Sequence, residues 1–600
     1  MYTLSDPITL EIVKNGLSSL ADEMALVILR SAYSPIVRDS MDYSTAICDR
    51  HGEIIAQGLT NPIHLGAFPD VMQILVTHHL DGAQDGDAFL VNDPYGGGGM
   101  HLPDIFLIKP LFVDGAIEGF AGTLVHHADL GGIAPGSMGL QAVEVFQEGL
   151  RIPIIKLFER GELNATALAF LMANTRMPTE LMGDLSAQIS SVAACEKGYV
   201  DLVRKYGSER FRGFLVELHD YADHLMRGAI ERMADGVYEN VDHLDGLGEK
   251  PEPIRFQVKV TIAGDRIAID WTGTSAQVKG AINGPMPATR SMAYVGIRAA
   301  IGMEIPNFAG YMRPIDVSAP AGTIVNPVLP AACAARGVIC YRMLDTLMGA
   351  LNKIEGSQIP ALGEGGPSVV SFSGWRDGKA WLITDGILGS WGGRAALDGV
   401  EGISNPGVNL SNQPIELIEA RLPIRLLHYG FATDSGGAGR HRGGQAIVRG
   451  YELLADEGTL TVRSDRRDHL PTGVDGGLPG SPSVTYLGGG QEEERLLPVL
   501  PMETITVTRG ARLVHVAAGG AGYGDPLDRE PQAVEADVRD GRISPIFAEQ
   551  VYGVVLKQAG VSAEATVRRR ETMRGRTKDL FARQQALFIQ ANGTIDLCLN

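Results

Sequence analysis

Apolar positions recur at helical spacing over residues 6–32, behind Asp6 as a candidate N-cap, and predict an opening amphipathic helix. "DYSTAICDRHGEIIAQG" follows, in which two short β-type runs flank "DRHG" and predict a hairpin. A short helix is expected over residues 69–79, then a strand in "DAFLV". Two longer apolar runs, "DIFLIKPLFV" and "AIEGFAGTLVHH", are separated only by Asp114-Gly115. Both turn residues tolerate positive φ, so the pair predicts a tight antiparallel hairpin.

The period changes to helical over residues 164–233 and returns to β-type at "IRFQVKVTIAGDRIAIDWTGT", after the Gly/Pro/charge-rich junction "LDGLGEKPEP". Helical stretches at 291–300 and 340–353 lie between glycine- and proline-rich loops. Short strands and turns run from "DSGGAGRHRGG" to "AAGGAGYGDP", and residues 531–583 are charged and partly helical. No repeat of fixed period is present. These elements describe an α+β, multidomain chain. The expected regions are 1–245 with mixed sheets and hairpins, 246–430 of α/β character, 431–530 rich in strands, and a partly helical 531–600.

Composition narrows the function. With 44% hydrophobic and 20% charged residues among 600, the chain has the balance of a folded enzyme of several units. A formal net charge of -19, without any dense lysine or arginine run, argues against nucleic acid and anionic membranes as partners. The opening residues lack a signal-peptide layout and no apolar run is long enough to span a bilayer, so a cytoplasmic location is expected. Five scattered cysteines, Cys48, Cys195, Cys333, Cys340 and Cys598, without a CxxC pair, fit a reducing compartment.

The chemistry concentrates in "NDPYGGGGMHLPDIFL". The glycine run lacks the GK[ST] ending of a Walker loop and does not fit GxGxxG, so a nucleotide site is not expected there. The His101-x-x-Asp104 pair has metal-ligand character. With Asp114-Gly115 as a two-residue turn, Val113 pairs with Ala116, His126 falls opposite Pro103 and His127 opposite Leu102. His101 and His126 then share a face while Asp104 leans toward His127, and a one-residue bulge exchanges these assignments. Pattern alone therefore leaves the choice of histidine open. Two imidazoles and one carboxylate with an open position suit catalytic Zn²⁺, and also Mn²⁺ or Fe²⁺.

Taken together, "NDPYGGGGMHLPDI", "HHADLGGIAPGS", "EGLRIPIIKL", "NTRMPTELMGDLSAQ", "DSGGAGRHRGG" and "GGAGYGDPLDREPQAVEADVRDGRIS" resemble the hydantoinase B/oxoprolinase family. The resemblance implies His101, Asp104 and His126 as metal ligands, with Asp42 of "DYS" as a further one. It also implies a separate hydantoinase A-type ATPase subunit, in an α2β2 assembly, which uses ATP to phosphorylate the substrate oxygen. This chain would then be the beta subunit of an ATP-dependent cyclic amide hydrolase, with metal-hydroxide attack on the phosphorylated hydantoin, 5-oxoproline or similar lactam. A ketone carboxylase component is the alternative within enzymes, and a non-catalytic scaffold for the ATPase the alternative outside them.

His127, Asp129 and His64 are the expected orienting or proton-transferring residues. Arg176 and Asp184, about two turns apart on a predicted helix, are expected to pair with each other. Glu148 is expected to cap or pair locally, and Arg440 and Arg442 to be solvated turn residues.

Overall fold

The computed structural model describes residues 4–592 apart from 59, 60, 65, 365, 367, 404, 405 and 576. Cys598 therefore lies outside the described residues, whereas Cys48, Cys195, Cys333 and Cys340 are buried free thiols. Cα packing divides the chain into two units. One comprises Met1–Asn240, Gln257–Ala350 and Pro406–Ser411, and the other Val241–Phe256, Leu351–Asn405 and Asn412–Asn600. Both are discontinuous, and the middle region expected at 246–430 is shared between them, so linear cuts at 245, 430 and 530 do not follow this division.

The first unit is built on a seven-stranded sheet. Its strands are β1 (Tyr43–Asp49), β2 (Ile54–Gln57), β3 (Ala88–Val91), β4 (Asp104–Val113), β5 (Ala116–His126), β6 (Ile155–Glu159) and β7 (Glu162–Leu163), in the order β2-β1-β5-β4-β3-β6-β7. Eight α-helices accompany it: α1 (Pro7–Ser31), α2 (Pro35–Arg38), α3 (Ala67–His78), α4 (Ala165–Ala173), α5 (Pro178–Tyr206), α6 (Ser208–Ile230), α7 (Met286–Ile301) and α8 (Gly337–Leu351). The opening helix begins as expected, with the Asp6 carboxylate accepting from Thr9 N at 3.1 Å.

Every residue of β1 is buried, because both faces of the sheet are covered. On one face α1 and α5 pack against the central strands. The buried stripe of α5 includes Leu181, Leu185, Gln188, Val192, Cys195 and Tyr199, a spacing close to 3.6 residues. On the other face Phe68 of α3 meets Phe106 of β4 edge to face, with ring centroids 5.2 Å apart. Gly122 of β5 is required beneath it, since a Cβ there would lie 2.8 Å from the Phe68 ring.

The β4–β5 hairpin departs from the simple register. Val113 pairs with Ala116 and Phe112 with Ile117, but Leu111 pairs with Gly119. Glu118 is thus an extra residue in β5, a β-bulge, and beyond it every partner shifts by one. His126 consequently lies opposite Asp104 rather than Pro103. The bulge is held from the helices: Tyr199 of α5 donates to Glu118 O at 2.9 Å, and Arg212 of α6 donates through Nε to the buried Glu118 carboxylate at 2.8 Å.

The second unit contains a four-stranded and a five-stranded antiparallel sheet. Phe372, Trp381 and Leu460 from the first share a core with Tyr451, Leu487 and Leu513 from the second. A separate helical core around Val534, Phe547, Tyr552 and Met573 accounts for the expected partly helical end of the chain. Beside these cores Arg442 is buried, not solvated, and pairs with Glu401 at 3.0 Å. The reason is that the glycine-rich segment packs backbone against backbone: a Cβ on Gly443 would lie 1.9 Å from Gly520 O.

Gly119, directly after the bulge, has no room for a side chain, since a Cβ would sit 2.5 Å from Tyr199 Oη and 2.7 Å from Cys48 O. Gly119→Ala is expected to lower stability by about 1–3 kcal/mol, measured as a reduced urea midpoint with an unchanged slope.

Candidate metal centre

Three adjacent strands end at one place. β4 begins there with Asp104, β5 ends there with His126, and the residues opening β1 bring Asp42 and Ser44, with Asp42 O accepting from His126 N at 3.1 Å. Directly opposed residues of an antiparallel pair project from the same face, so the bulge places the Asp104 and His126 side chains side by side. His101 reaches the same point from the turn before β4, with its ring centroid 5.1 Å from that of His126. One ligand atom from each of His101, Asp104 and His126 lies within 4.8 Å of the other two, and all three residues are buried.

The tautomer of His101 follows from its partner. Its Nδ1 lies 2.7 Å from Ala334 O, and a carbonyl oxygen can only accept, so Nδ1 carries the proton. In a neutral ring Nε2 then presents a lone pair, 3.0 Å from Asp104 Oδ1. Neither of those two atoms has a hydrogen-bond partner among the described residues. Two buried acceptors facing each other repel unless a cation stands between them, which is the arrangement a divalent metal requires of its ligands.

Charge at the site is tuned by Arg336, which precedes α8 and donates through Nη2 to Asp104 Oδ2. Burial alone would raise the Asp104 pKa, but the Arg336 guanidinium beside it holds the carboxyl well below the usual carboxylate range. Burial, aided by Arg336, depresses His101, so its neutral form is favoured. His64 sits beside the cluster with Nδ1 2.8 Å from Ser44 Oγ, and Nε2 3.7 Å from Asp42 and 3.9 Å from Asp104. Its burial pushes the imidazole down to about 4. Asp42 is raised by burial and accepts from Asn61 Nδ2 at 3.0 Å.

The remaining sequence candidates are placed differently. His127 projects from the opposite sheet face, toward α5, where its Nε2 is 3.0 Å from Gln188 Oε1. The Gln188 amide nitrogen donates to Ile105 O and Thr123 Oγ1, so its oxygen is the acceptor and His127 Nε2 the donor. Asp129 organises a loop: its carboxylate accepts from Gly136 N at 2.9 Å, Arg176 N at 2.7 Å and the Arg176 guanidinium at 2.8 Å. Arg176 is therefore the partner of Asp129, not of Asp184. Asp184 instead accepts from Tyr33 N and Ser34 N at 2.8 and 3.0 Å, because it lies on the α5 face turned to the end of α1.

Glu148 does not act locally either. Its carboxylate accepts from Cys333 N at 2.5 Å and Ala334 N at 2.6 Å, tying down the segment that supplies both the Ala334 carbonyl and Arg336. Burial pushes this carboxyl up to about 8. Arg336 and the Ala334 carbonyl escaped sequence reasoning because they stand more than two hundred residues from the histidines. The one available signal was an isolated arginine in the apolar run "AACAARGVICY".

The glycine run before His101 turns back on its own backbone and packs against α3. Gly97 N and Gly99 N both donate to Asp93 O, at 3.2 and 2.9 Å. Gly98 has φ +76°, and a Cβ there would lie 2.8 Å from the Asp70 carbonyl carbon in α3.

The family model for hydantoinase B/oxoprolinase matches residues 6–526. The B component of a putative D-/L-hydantoinase from Pseudomonas sp. strain NS671 is 33% identical, the match covering 92% of this chain and 95% of that one. The beta chain of the Pseudomonas jessenii caprolactamase is 30% identical over 93% of this chain and 98% of its own. 5-oxoprolinase 1 of Arabidopsis thaliana is 27% identical, and the match takes in 87% of this chain and 42% of that protein. Among solved structures, the ATP-dependent caprolactamase of Pseudomonas jessenii superposes with a TM-score of 0.88 at 29% identity, covering 95% of this chain and 100% of that one. An acetone carboxylase, nucleotide-free, gives a TM-score of 0.89 at 20% identity, covering 96% of this chain and 84% of that one, a likeness of fold.

Two outcomes follow from the electrostatics. Arg336→Ala removes the guanidinium from the buried Asp104 carboxylate and is expected to cost about 3–5 kcal/mol in metal-free protein, measured by denaturant unfolding. For Glu148 the folded pKa, about 8, lies above its ordinary 4.5. Its contribution is full below about 4.5, declines as pH rises, and is lost as pH passes through about 8. Glu148→Gln should flatten stability against pH across that window, and an unchanged profile would refute the assignment.

Proposed function

Since the chain belongs to the hydantoinase B/oxoprolinase family, we propose that it is the beta subunit of an ATP-dependent cyclic amide hydrolase. Its substrate would be a hydantoin, 5-oxoproline or similar lactam, phosphorylated on the amide oxygen by a separate ATPase subunit. The observation that carries this reading is the pair of facing buried acceptors, His101 Nε2 and Asp104 Oδ1, with His126 beside them. The names of the relatives, a putative hydantoinase, a caprolactamase and a 5-oxoprolinase, support the substrate class.

His101, Asp104 and His126 would hold a divalent transition metal, with Zn²⁺ first and Mn²⁺ or Fe²⁺ also compatible with an N/O donor set. When bound, such an ion supplies Lewis-acid polarisation and lowers the pKa of water. Asp42, 3.7 Å from His64 Nε2 and with its main-chain oxygen accepting from His126 N at 3.1 Å, would orient these neighbours. An amide resists water because resonance stabilises it, and phosphorylation of its oxygen converts that oxygen into a leaving group. Asp42, Asp104 and Arg336 sum to one negative charge, so a site holding a divalent cation is net positive and suits an anionic phosphorylated intermediate.

His64 would be the residue that holds or moves a proton. It is buried, its pKa of about 4 keeps it neutral at physiological pH, and its Nε2 faces Asp42 and Asp104. His127, turned to the opposite face, would instead stiffen the strand end. Asp129, whose oxygens are engaged by loop amides and Arg176, would shape the loop after β5. The phosphorylated intermediate must not meet bulk water, which calls for a tight complex with the ATPase subunit, of α2β2 composition.

Reconstituted with its ATPase partner, the chain is expected to convert ATP and a panel of lactams to ADP, phosphate and the ring-opened amino acid without bicarbonate. His101→Ala should reduce ring opening by roughly 100-fold or more, as loss of an essential ligand does. Strict dependence on bicarbonate would instead identify a carboxylase. Full activity of His101→Ala would leave only a scaffold role.

A further inference from the structure

We propose that Asp49, Glu53 and His219 form a second divalent-metal site, one that clips the β1–β2 turn to helix α6. One ligand atom from each lies within 4.8 Å of the other two. The strand β1 separates this place from the first cluster: Ser44 stands near one end and Asp49 at the other. At about 3.3 Å per residue the two sites are roughly 17–20 Å apart along the strand.

The turn pre-orders its carboxylates. Asp49 Oδ1 accepts from His51 N at 2.8 Å and Glu53 N at 2.9 Å, which fixes the loop "DRHGE". The other oxygen, Oδ2, is left toward α6, 3.8 Å from His219 Nε2. Glu53 Oε2 stands at the same 3.8 Å from that nitrogen.

The independent observation is His219 itself. Its side chain is 2% exposed, and both ring nitrogens are buried without a hydrogen-bond partner among the described residues. Leaving a buried polar atom unsatisfied costs about 1–3 kcal/mol, so a bare imidazole aimed at two carboxylates is an unfavourable end state. A protonated imidazole would close up to hydrogen-bond length, about 2.7–3.2 Å, on at least one of them. A shared cation accounts for the wider spacing. With metal–ligand distances of about 2.0–2.2 Å, ligand atoms around one tetrahedral ion lie roughly 3.3–3.6 Å apart, so the two 3.8 Å separations need to contract by only a few tenths of an ångström.

The surroundings agree. Phe308 closes one side of the imidazole edge to face, with ring centroids at 5.4 Å. The backbone at His219 is clamped by Gly310, where a Cβ would lie only 1.8 Å from His219 O. Arg313 comes to 4.0 Å from Glu53, but its guanidinium is bound by Asp220 at 2.7 Å, and those two charges cancel. The remaining Asp49 and Glu53 charges match a divalent ion, and one imidazole with two carboxylates is a donor set for Zn²⁺ or Mn²⁺.

Equilibrium dialysis of the full-length chain against Zn²⁺, with metal counted by mass spectrometry, tests the site. Wild type should bind two ions and His219→Gln one. The His101→Ala/His126→Ala variant, which disables the first cluster, should keep one ion, and its Tm should rise with Zn²⁺. Glu53→Gln, at a half-exposed position that tolerates substitution, should weaken the retained ion at least tenfold even where His219→Gln folds poorly. Equal stoichiometry in wild type and His219→Gln overturns the proposal, as does a first-cluster variant that binds no ion and shows no Zn²⁺-dependent rise in Tm. The two-ion total rests on the metal reading of the first cluster, whereas the loss of one ion on His219→Gln is scored without turnover and is separate from it.

Discussion

A one-residue bulge in a hairpin determines which side chain meets Asp104. Side chains alternate along a strand, so inserting Glu118 between Ile117 and Gly119 moves every later residue of β5 to the opposite face. His126 is thereby turned toward His101 and Asp104, and His127 toward Gln188 on α5. The bulge sits near the far end of the hairpin from the site, yet its geometry is secured by groups outside the hairpin. Tyr199 binds its carbonyl and Arg212 its carboxylate, so the packing of α5 and α6 specifies the register that the site depends on.

A second constraint reaches the same cluster from far along the chain. The segment before α8 delivers the Ala334 carbonyl, which sets the His101 tautomer, and the Arg336 guanidinium, which keeps Asp104 ionised. Glu148 holds that segment by two backbone amides. A buried carboxylate with a buried guanidinium contributes little net stability, but it fixes which oxygen of Asp104 remains available. Side-chain geometry at the strand ends is thus over-determined from three directions: the turn before β4, the end of β5 and the start of α8.

The family places this arrangement among proteins whose relatives are named for lactam, hydantoin and 5-oxoproline chemistry, and the fold is common to a solved caprolactamase and an acetone carboxylase. One fold can serve different reactions, because the chemistry is set by the side chains grafted on it and not by the fold itself. A metal clip at Asp49, Glu53 and His219 would add rigidity at the opposite end of β1, whose first residues carry Asp42 and Ser44 beside the first cluster.

Local chemistry was legible in the sequence wherever neighbours along the chain decide it. The N-cap at Asp6, the Asp114-Gly115 turn, the helical period of residues 164–233 and the His101-x-x-Asp104 pair depend on residues within a few positions, and all are visible as pattern. Family membership was legible for the same reason, through long motifs in order. Packing between distant segments decided the rest. No periodicity reveals that Glu118 is an extra residue, that Arg176 pairs with Asp129 instead of Asp184, that Glu148 reaches the Cys333 and Ala334 amides, or that His219 faces the Asp49 turn. Each of these depends on where a buried polar group finds its partner, and in a folded chain that partner is chosen by distance in space.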